Sequence, residues 1–348
     1  MTTEFIEING ASGGGQILRT ALAMSTASGI AFRISNIRGK REKPGLMRQH
    51  LMCVKACAEI CGASVAGAEL DSTELTFVPH TVKAGDYRFD IGSGGSTILL
   101  MQAVVPALAR ILKEGEKASV TVTGGAYCPF APTFEFLNET LAPCMNRIGY
   151  AVSFSMPHAA FYQAGGGTVR LDAAGPFQPK LFAMTEKGKM LGTDVRILNC
   201  NLAAAIAQRE KQLLVEEFGI PLGITENRID VVSDREISEA GNVLTIRVAC
   251  ESGISVFSEV GRPRLSAESV ARIAARDATE FAKSPVPVCR HLQDQLLVPM
   301  ALAKGGHFLS SSPSPHTRSC AQVIEAFTGK RVEMKKTDKG WEITVPEL

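Results

Sequence analysis

Long hydrophobic runs are missing from this chain. None reaches the ~18 apolar residues that a membrane-crossing helix needs, so no span is expected. The opening, MTTEFIEING, has neither a basic start nor an apolar block. No secretory leader is expected from it, and the protein is expected in the cytosol. A charge excess is missing too. Lys and Arg total 37 against 35 Asp and Glu, a net charge of +2. Bulk electrostatics therefore does not argue for nucleic-acid binding, and any contact with RNA or DNA must come from a local patch. The nine cysteines are odd in number and irregularly spaced, which favours free thiols over a disulfide framework. No GxxxxGK[ST] run is present to support a Walker-type NTPase, and no convincing GxGxxG with its downstream acid supports a dinucleotide fold.

What is present suits a packed globule. The chain has 348 residues, 45% apolar and 21% charged, enough for one large domain or two ordinary ones. Glycine turns precede apolar helical patterns: Gly13-Gly14-Gly15-Gln16-Ile17-Leu18 echoes Gly94-Gly95-Ser96-Thr97-Ile98-Leu99, each after a short strand-like run. A second echo pairs Gln102-Ala103-Val104-Val105-Pro106 with Gln295-Leu296-Leu297-Val298-Pro299. This self-similarity predicts an α/β fold of repeated strand–helix units rather than one open doubly wound sheet. Helices are expected near 15–27, 45–62, 96–112 and 132–147, with strands near 30–36, 73–78, 84–91 and 118–123. From about 183 the texture changes to a strand, a charged helix ended by Gly219, a hairpin around Glu251-Ser252-Gly253, and a helix near 266–282. That block reads as a small insertion, with residues 1–182 and 284–348 forming the large domain and 183–283 the inserted one.

Several clusters carry chemistry. The run Arg38-Gly39-Lys40-Arg41-Glu42-Lys43 places four cations in six residues just before a helix. Helix N-termini and cations together favour phosphates; a solvated charge run is the alternative. Cys53, Cys57 and Cys61 recur every fourth residue with His50 one turn earlier, which suits buried small side chains better than a zinc site. Ser310-Ser311-Ser312-Pro313-Ser314-Pro315-His316-Thr317-Arg318 reads as a rigid, polar, non-helical segment between two helix-like runs. A neutral imidazole presented there could act as a nucleophile, with Arg318 and the distant basic run stabilising charge on an attacked phosphate. A capped loop histidine is the plainer alternative.

The blocks GGGQILRTAL, NIRGKREKPGLMRQHL, FDIGSGGSTILLMQAVVPAL, GGAYCPFAP, FYQAGGGTV, HLQDQLLVPMALA and SPSPH resemble, in order and over nearly the whole chain, the RNA 3′-terminal phosphate cyclase family. The resemblance implies a large domain similar to enolpyruvyl transferases with an inserted thioredoxin-like domain. It implies ATP-dependent conversion of an RNA 3′-phosphate to a 2′,3′-cyclic phosphodiester through a covalent histidine–AMP. His316 matches the nucleophile. His291, Leu292, Gln293, Asp294 and Gln295 match the nucleotide-binding stretch, joined by Gln102 and by Pro129 on an adenine face. Arg19, Arg38, Arg41 and Gln49 match polar groups around the phosphates. Mg²⁺ or Mn²⁺ is expected to travel with ATP. Three departures stand out. Asn9 and Ser12 occupy positions where the family usually has acids, and serine is a far poorer ligand for a hard cation. His291 replaces an aromatic residue. Ser319-Cys320 replaces Thr-Asn. The alternative implied is a non-catalytic cyclase-like RNA-binding protein of the ribosome-assembly type, against which the retained His316 argues.

Overall fold

A unit of strand, helix, strand, helix and two strands occurs three times in the computed structural model, which describes residues 5–12 and 14–348. The first unit runs β1 (Ile6–Asn9), α1 (Gly14–Ser28), β2 (Phe32–Ser35), α2 (Arg48–Cys61), β3 (Ser64–Ala66) and β4 (Leu75–Val78). The second runs β5 (Asp86–Asp90), α3 (Thr97–Arg110), β6 (Lys117–Gly124), α4 (Ala142–Ile148), β7 (Val152–His158) and β8 (Gly167–Ala174). The third opens with β9 (Phe182–Met184). The chain then leaves through β10 (Met190–Cys200), α5 (Ala204–Leu222), β11 (Ile229–Val232), β12 (Gly241–Cys250), β13 (Gly253–Val260) and α6 (Ala267–Lys283). It returns to finish the third unit with α7 (Gln293–Ala301), β14 (Gly306–Ser310), α8 (Pro315–Thr328), β15 (Glu333–Lys336) and β16 (Trp341–Val345).

The sheets repeat the same order: β1-β2-β4-β3, β5-β6-β8-β7 and β9-β14-β16-β15. In each, the first two strands are parallel, joined by a helical crossover, and the later strands add antiparallel. A parallel pair needs such a crossover, and its helix packs back on the sheet. The crossover helices α1, α3 and α7 occupy equivalent places and pack against one another at the centre. β8 shows the alternation expected of a half-covered strand: Val169, Leu171 and Ala173 are buried, and Arg170 and Asp172 pair at the surface.

The fourth sheet, β11-β10-β12-β13, has its own order and packs on α5 and α6. A separate apolar cluster of Tyr127, Phe161, Leu198, Cys200, Ile237 and Val243 ties it to the second unit. Arg247 adds two hydrogen bonds to Glu139, of 2.6 and 2.8 Å. These ties bring β13 and α6 to the lining of one cavity with α1 and α7.

Three expectations change. The charged helix passes Gly219 and ends at Leu222, where Gly223 takes the left-handed conformation (φ 65°) that closes it. The 132–147 helix contains a π turn, Phe136–Leu141, before α4. Pro143 has no N–H to donate back to the preceding turn, so the backbone widens ahead of it. The segment around His316 is helical from Pro315, and it follows β14 rather than a helix. All nine cysteines are buried free thiols. No helix among the described residues is long and apolar enough to cross a membrane.

Candidate active site

His316 lies in the first turn of α8, exposed to a cavity of about 380 Å³. Ser314 caps the helix, its Oγ accepting from the Thr317 N–H at 3.0 Å. Pro315 takes the first helical position, where a missing N–H costs nothing. Beneath this turn sits Gln293, fully buried at the start of α7. Its Nε2 donates to Ser310 Oγ at 2.8 Å and to the Ser311 carbonyl at 3.1 Å. Its Oε1 accepts from the Ser314 N–H at 3.2 Å and from Thr317 Oγ1 at 2.8 Å. One amide thus satisfies both sides of the bend that presents the imidazole.

That geometry divides the matched stretch 291–295. Gln293 is committed to the loop and Leu292 to the core, so neither lines the cavity, whereas His291, Asp294 and Gln295 do. Asp294 is buried, and Gln295 Nε2 donates to its Oδ2 at 2.5 Å. Burial pushes the Asp294 carboxyl up from its ordinary value, while the charges of His316 and Arg19 oppose that shift. Arg19, on α1, donates to Gln16 Oε1 at 2.8 Å, and both line the cavity. Desolvation lowers the Arg19 guanidinium from its ordinary value, against Cys53, Asp294 and Cys320. A guanidinium drawn this far out of water attracts an anion placed beside it more strongly than it would in bulk solvent.

Gln102, on α3, opens onto an adjoining hollow of about 40 Å³ that it shares with Gln16, Arg19, Asp294 and Gln295. Its Nε2 is buried and has no hydrogen-bond partner, a donor left for a ligand or water to fill. The three crossover helices therefore aim their polar positions at one place: Gln16 and Arg19 from α1, Gln102 from α3, Asp294 and Gln295 from α7.

The remaining matched residues stand apart. Arg38 adopts a left-handed φ of 56° and donates to the Gly45 carbonyl at 2.9 Å, closing the basic loop. Gln49 Oε1 accepts from the Ser96 N–H at 3.2 Å and so pins the turn before α3. Arg41 reaches the start of α1, where a Cβ added at Gly14 (φ 56°) would lie 3.1 Å from its Nη2. His50 sits against Gly15, with burial and then Arg19 and Arg38 lowering its pKa to about 3, so it is neutral. Arg38, Arg41 and Gln49 thus surround the N-termini of α1 and α3 and do not line the cavity.

Also in the cavity lining, His291 Nε2 lies 2.8 Å from Asp277 Oδ2 on α6, with the Phe257 ring edge-on beside it. Burial pushes the Asp277 carboxyl up, but the hydrogen bond and charge of His291, with Arg290, carry it below its ordinary value. Pro129 does not line the cavity, although Cys128 and Phe130 on either side of it do. Asp277 was not legible in sequence because it lies on an amphipathic helix where acids are ordinary; Phe130 sits inside a quoted motif with no role attached.

Among the described residues, the donors do not make a site for a protein-held divalent ion. Asn9 and Ser12 line a different hollow, together with Glu7 and Lys40. Asn9 Oδ1 accepts from the Ala11 N–H at 3.0 Å, Glu7 faces Arg33 at 3.5 Å, and Lys40 brings a positive charge. Among the described residues no three His, Cys, Asp or Glu side chains converge.

Residues 11–334 match the family profile described as RNA 3′-terminal phosphate cyclase. Similar chains include a Pseudomonas fluorescens protein named RNA 3′-terminal phosphate cyclase, 38% identical over 335 residues, covering 96% of each chain. Another of that name, from Koribacter versatilis, is 37% identical over 94% of this chain and 90% of its own. A third, from Ectopseudomonas mendocina, is 37% identical over 94% of both.

Proposed function

The chain belongs to the RNA 3′-terminal phosphate cyclase family, and from that premise we propose that it converts RNA 3′-phosphate ends to 2′,3′-cyclic phosphodiesters, using ATP and His316. The observation that carries this reading is the Gln293-braced turn that presents His316 beside Asp294 and Arg19 in one cavity. An imidazole nitrogen of His316 attacks the α-phosphorus of ATP, and the bond to pyrophosphate breaks. The N-terminus of α8 and the Arg19 guanidinium both favour the phosphate there. An oxygen of the RNA 3′-phosphate then attacks the adenylate phosphorus, and the phosphorus–nitrogen bond breaks. Finally the neighbouring 2′-hydroxyl attacks the activated 3′-phosphorus, gives up its proton and expels AMP. Exchanging a poor leaving group for AMP lets a hydroxyl already held at close range complete the ring.

Gln102, Asp294, Gln295 and His291 are the nucleotide contacts on this reading, with Leu292 and Gln293 supporting from behind and Pro129 setting the turn that carries its neighbours. Arg19 faces the phosphates, and Arg38, Arg41 and Gln49 shape the approach of the RNA end. The triphosphate oxygens would be the ligands of Mg²⁺ or Mn²⁺, which would neutralise part of their charge. Residues 1–182 and 284–348 form the body and 183–283 the inserted unit.

The test is transfer of label from the α-phosphate of ATP to the polypeptide. The wild type is expected to carry acid-labile, alkali-stable label, and His316→Ala none. A wild type that stays unlabelled with both Mg²⁺ and Mn²⁺ yet binds RNA ends would instead be the non-catalytic RNA-binding relative.

A further inference from the structure

One surface of the cavity has no part in that scheme. Phe130 lines its mouth and is 90% exposed. Its backbone is left-handed, φ 63°, which a bulky residue avoids unless its surroundings impose it. The Arg262 guanidinium lies over the ring, 4.6 Å from its centroid, and is paired in turn with Glu259, another cavity residue. The loop bearing Arg262 also carries Arg264, exposed, left-handed at φ 70° and without an ion-pair partner among the described residues. An aromatic face is thus held open to solvent by a strained backbone on one side and a cation on the other, at the entrance to the cavity holding His316.

We infer that Phe130, backed by Arg262, is the stacking platform for the nucleobase at the reacting 3′ end of the RNA. Every base has a π-face, so such a platform holds the strand without reading its sequence. Arg262 and Arg264 add the positive charge that a polynucleotide backbone seeks. The other base-binding feature, His291 held by Asp277, is the nucleotide contact on the cyclase reading, which leaves the exposed Phe130 ring to the polymer. The inference rests on the cyclase reading for the identity of its ligand, and it gives the fourth sheet a share in substrate binding, because Arg262 follows directly on β13.

Two fluorescent probes decide it: a short oligoribonucleotide ending in 2-aminopurine with a 3′-phosphate, and 2-aminopurine riboside triphosphate. Binding of the first to the wild type is expected to quench the terminal base. Phe130→Ala is expected to lose that quenching and weaken binding about ten-fold, the scale of one base–aromatic stack. Phe130→Tyr is expected to restore both. The ring is exposed, so removing it leaves the core intact. The inference is overturned if Phe130→Ala changes neither quenching nor affinity, or if it weakens the triphosphate as much as the RNA, which would give the ring to adenine. Binding needs no turnover. A protein that takes no label from ATP but quenches the terminal base through Phe130 would refute the cyclase reading and keep the platform.

Discussion

The turn around His316 and the fourth sheet treat polar groups in opposite ways. In the turn, the Gln293 amide, the Ser314 N–H and the Thr317 hydroxyl all find partners within 3.2 Å. In and beside the fourth sheet, Thr193 Oγ1, Asn199 Oδ1, Glu210 Oε1 and Asn242 Oδ1 are buried with none. A reacting nitrogen must be held to a fraction of an ångström, and a saturated amide does that. The unpaired atoms around the fourth sheet keep their desolvation cost, so that region is held less favourably than the turn.

The sharpest way to break this contrast is Gln293→Leu, which leaves Ser314 and Thr317 without their acceptor. The rate of labelling by ATP should fall about 100-fold or more, as for other small misplacements of a reacting group. The ATP concentration for half-maximal labelling should move only a few-fold, since Gln293 does not line the cavity. Single-turnover labelling against ATP concentration separates the two; equal changes in both would make Gln293 a nucleotide contact.

Next comes α5, which packs on the fourth sheet. Burial raises the Glu210 pKa from 4.5 to about 7, although Asn242 Nδ2 donates to it at 3.0 Å. A carboxyl raised in the folded state contributes stability that is full below about 4.5 and lost as pH rises to about 7. Glu210→Gln should remove this pH dependence and stabilise the protein at pH 8 by up to about 3 kcal/mol. Denaturant unfolding at pH 4.5 and 8 measures it, and an unchanged slope with pH would clear Glu210.

Asp277→Asn should weaken ATP binding by about three- to ten-fold, the scale of a charge-assisted hydrogen bond lost from a half-exposed His291. Isothermal titration with ATP reads this directly. The smallest effect belongs to Arg41→Ala, expected to weaken 3′-phosphorylated RNA by a few-fold more than 3′-hydroxyl RNA. Equal losses would place that guanidinium on the general backbone.

Much of this architecture was legible. The two glycine echoes fall at the starts of α1 and α3, and the Gln102 and Gln295 echo falls on α3 and α7, the three equivalent crossover helices. Repetition shows in sequence because the same packing problem is solved with the same residue types. The family motifs also brought His316, Asp294, Gln295, His291 and Arg19 to one cavity. What failed to show was whatever depends on distant partners. Gln293 reads like its neighbour Gln295 until the serine turn is folded over it. Asp277 meets His291 only through the packing of α6, and the left-handed Phe130 carries no glycine or asparagine to announce it. Helix ends slipped where local chemistry competed, as at Pro143 and Gly223.

The excursion through β10–α6 departs after the first strand of the third unit and rejoins at its crossover helix, beside the mouth of the cavity. Such a junction gives natural variation a protected place to work. Segments added or trimmed there would reshape the entrance while the three repeated units stay as they are. Chains of this architecture would in this way accept different ends without rebuilding the turn that holds His316.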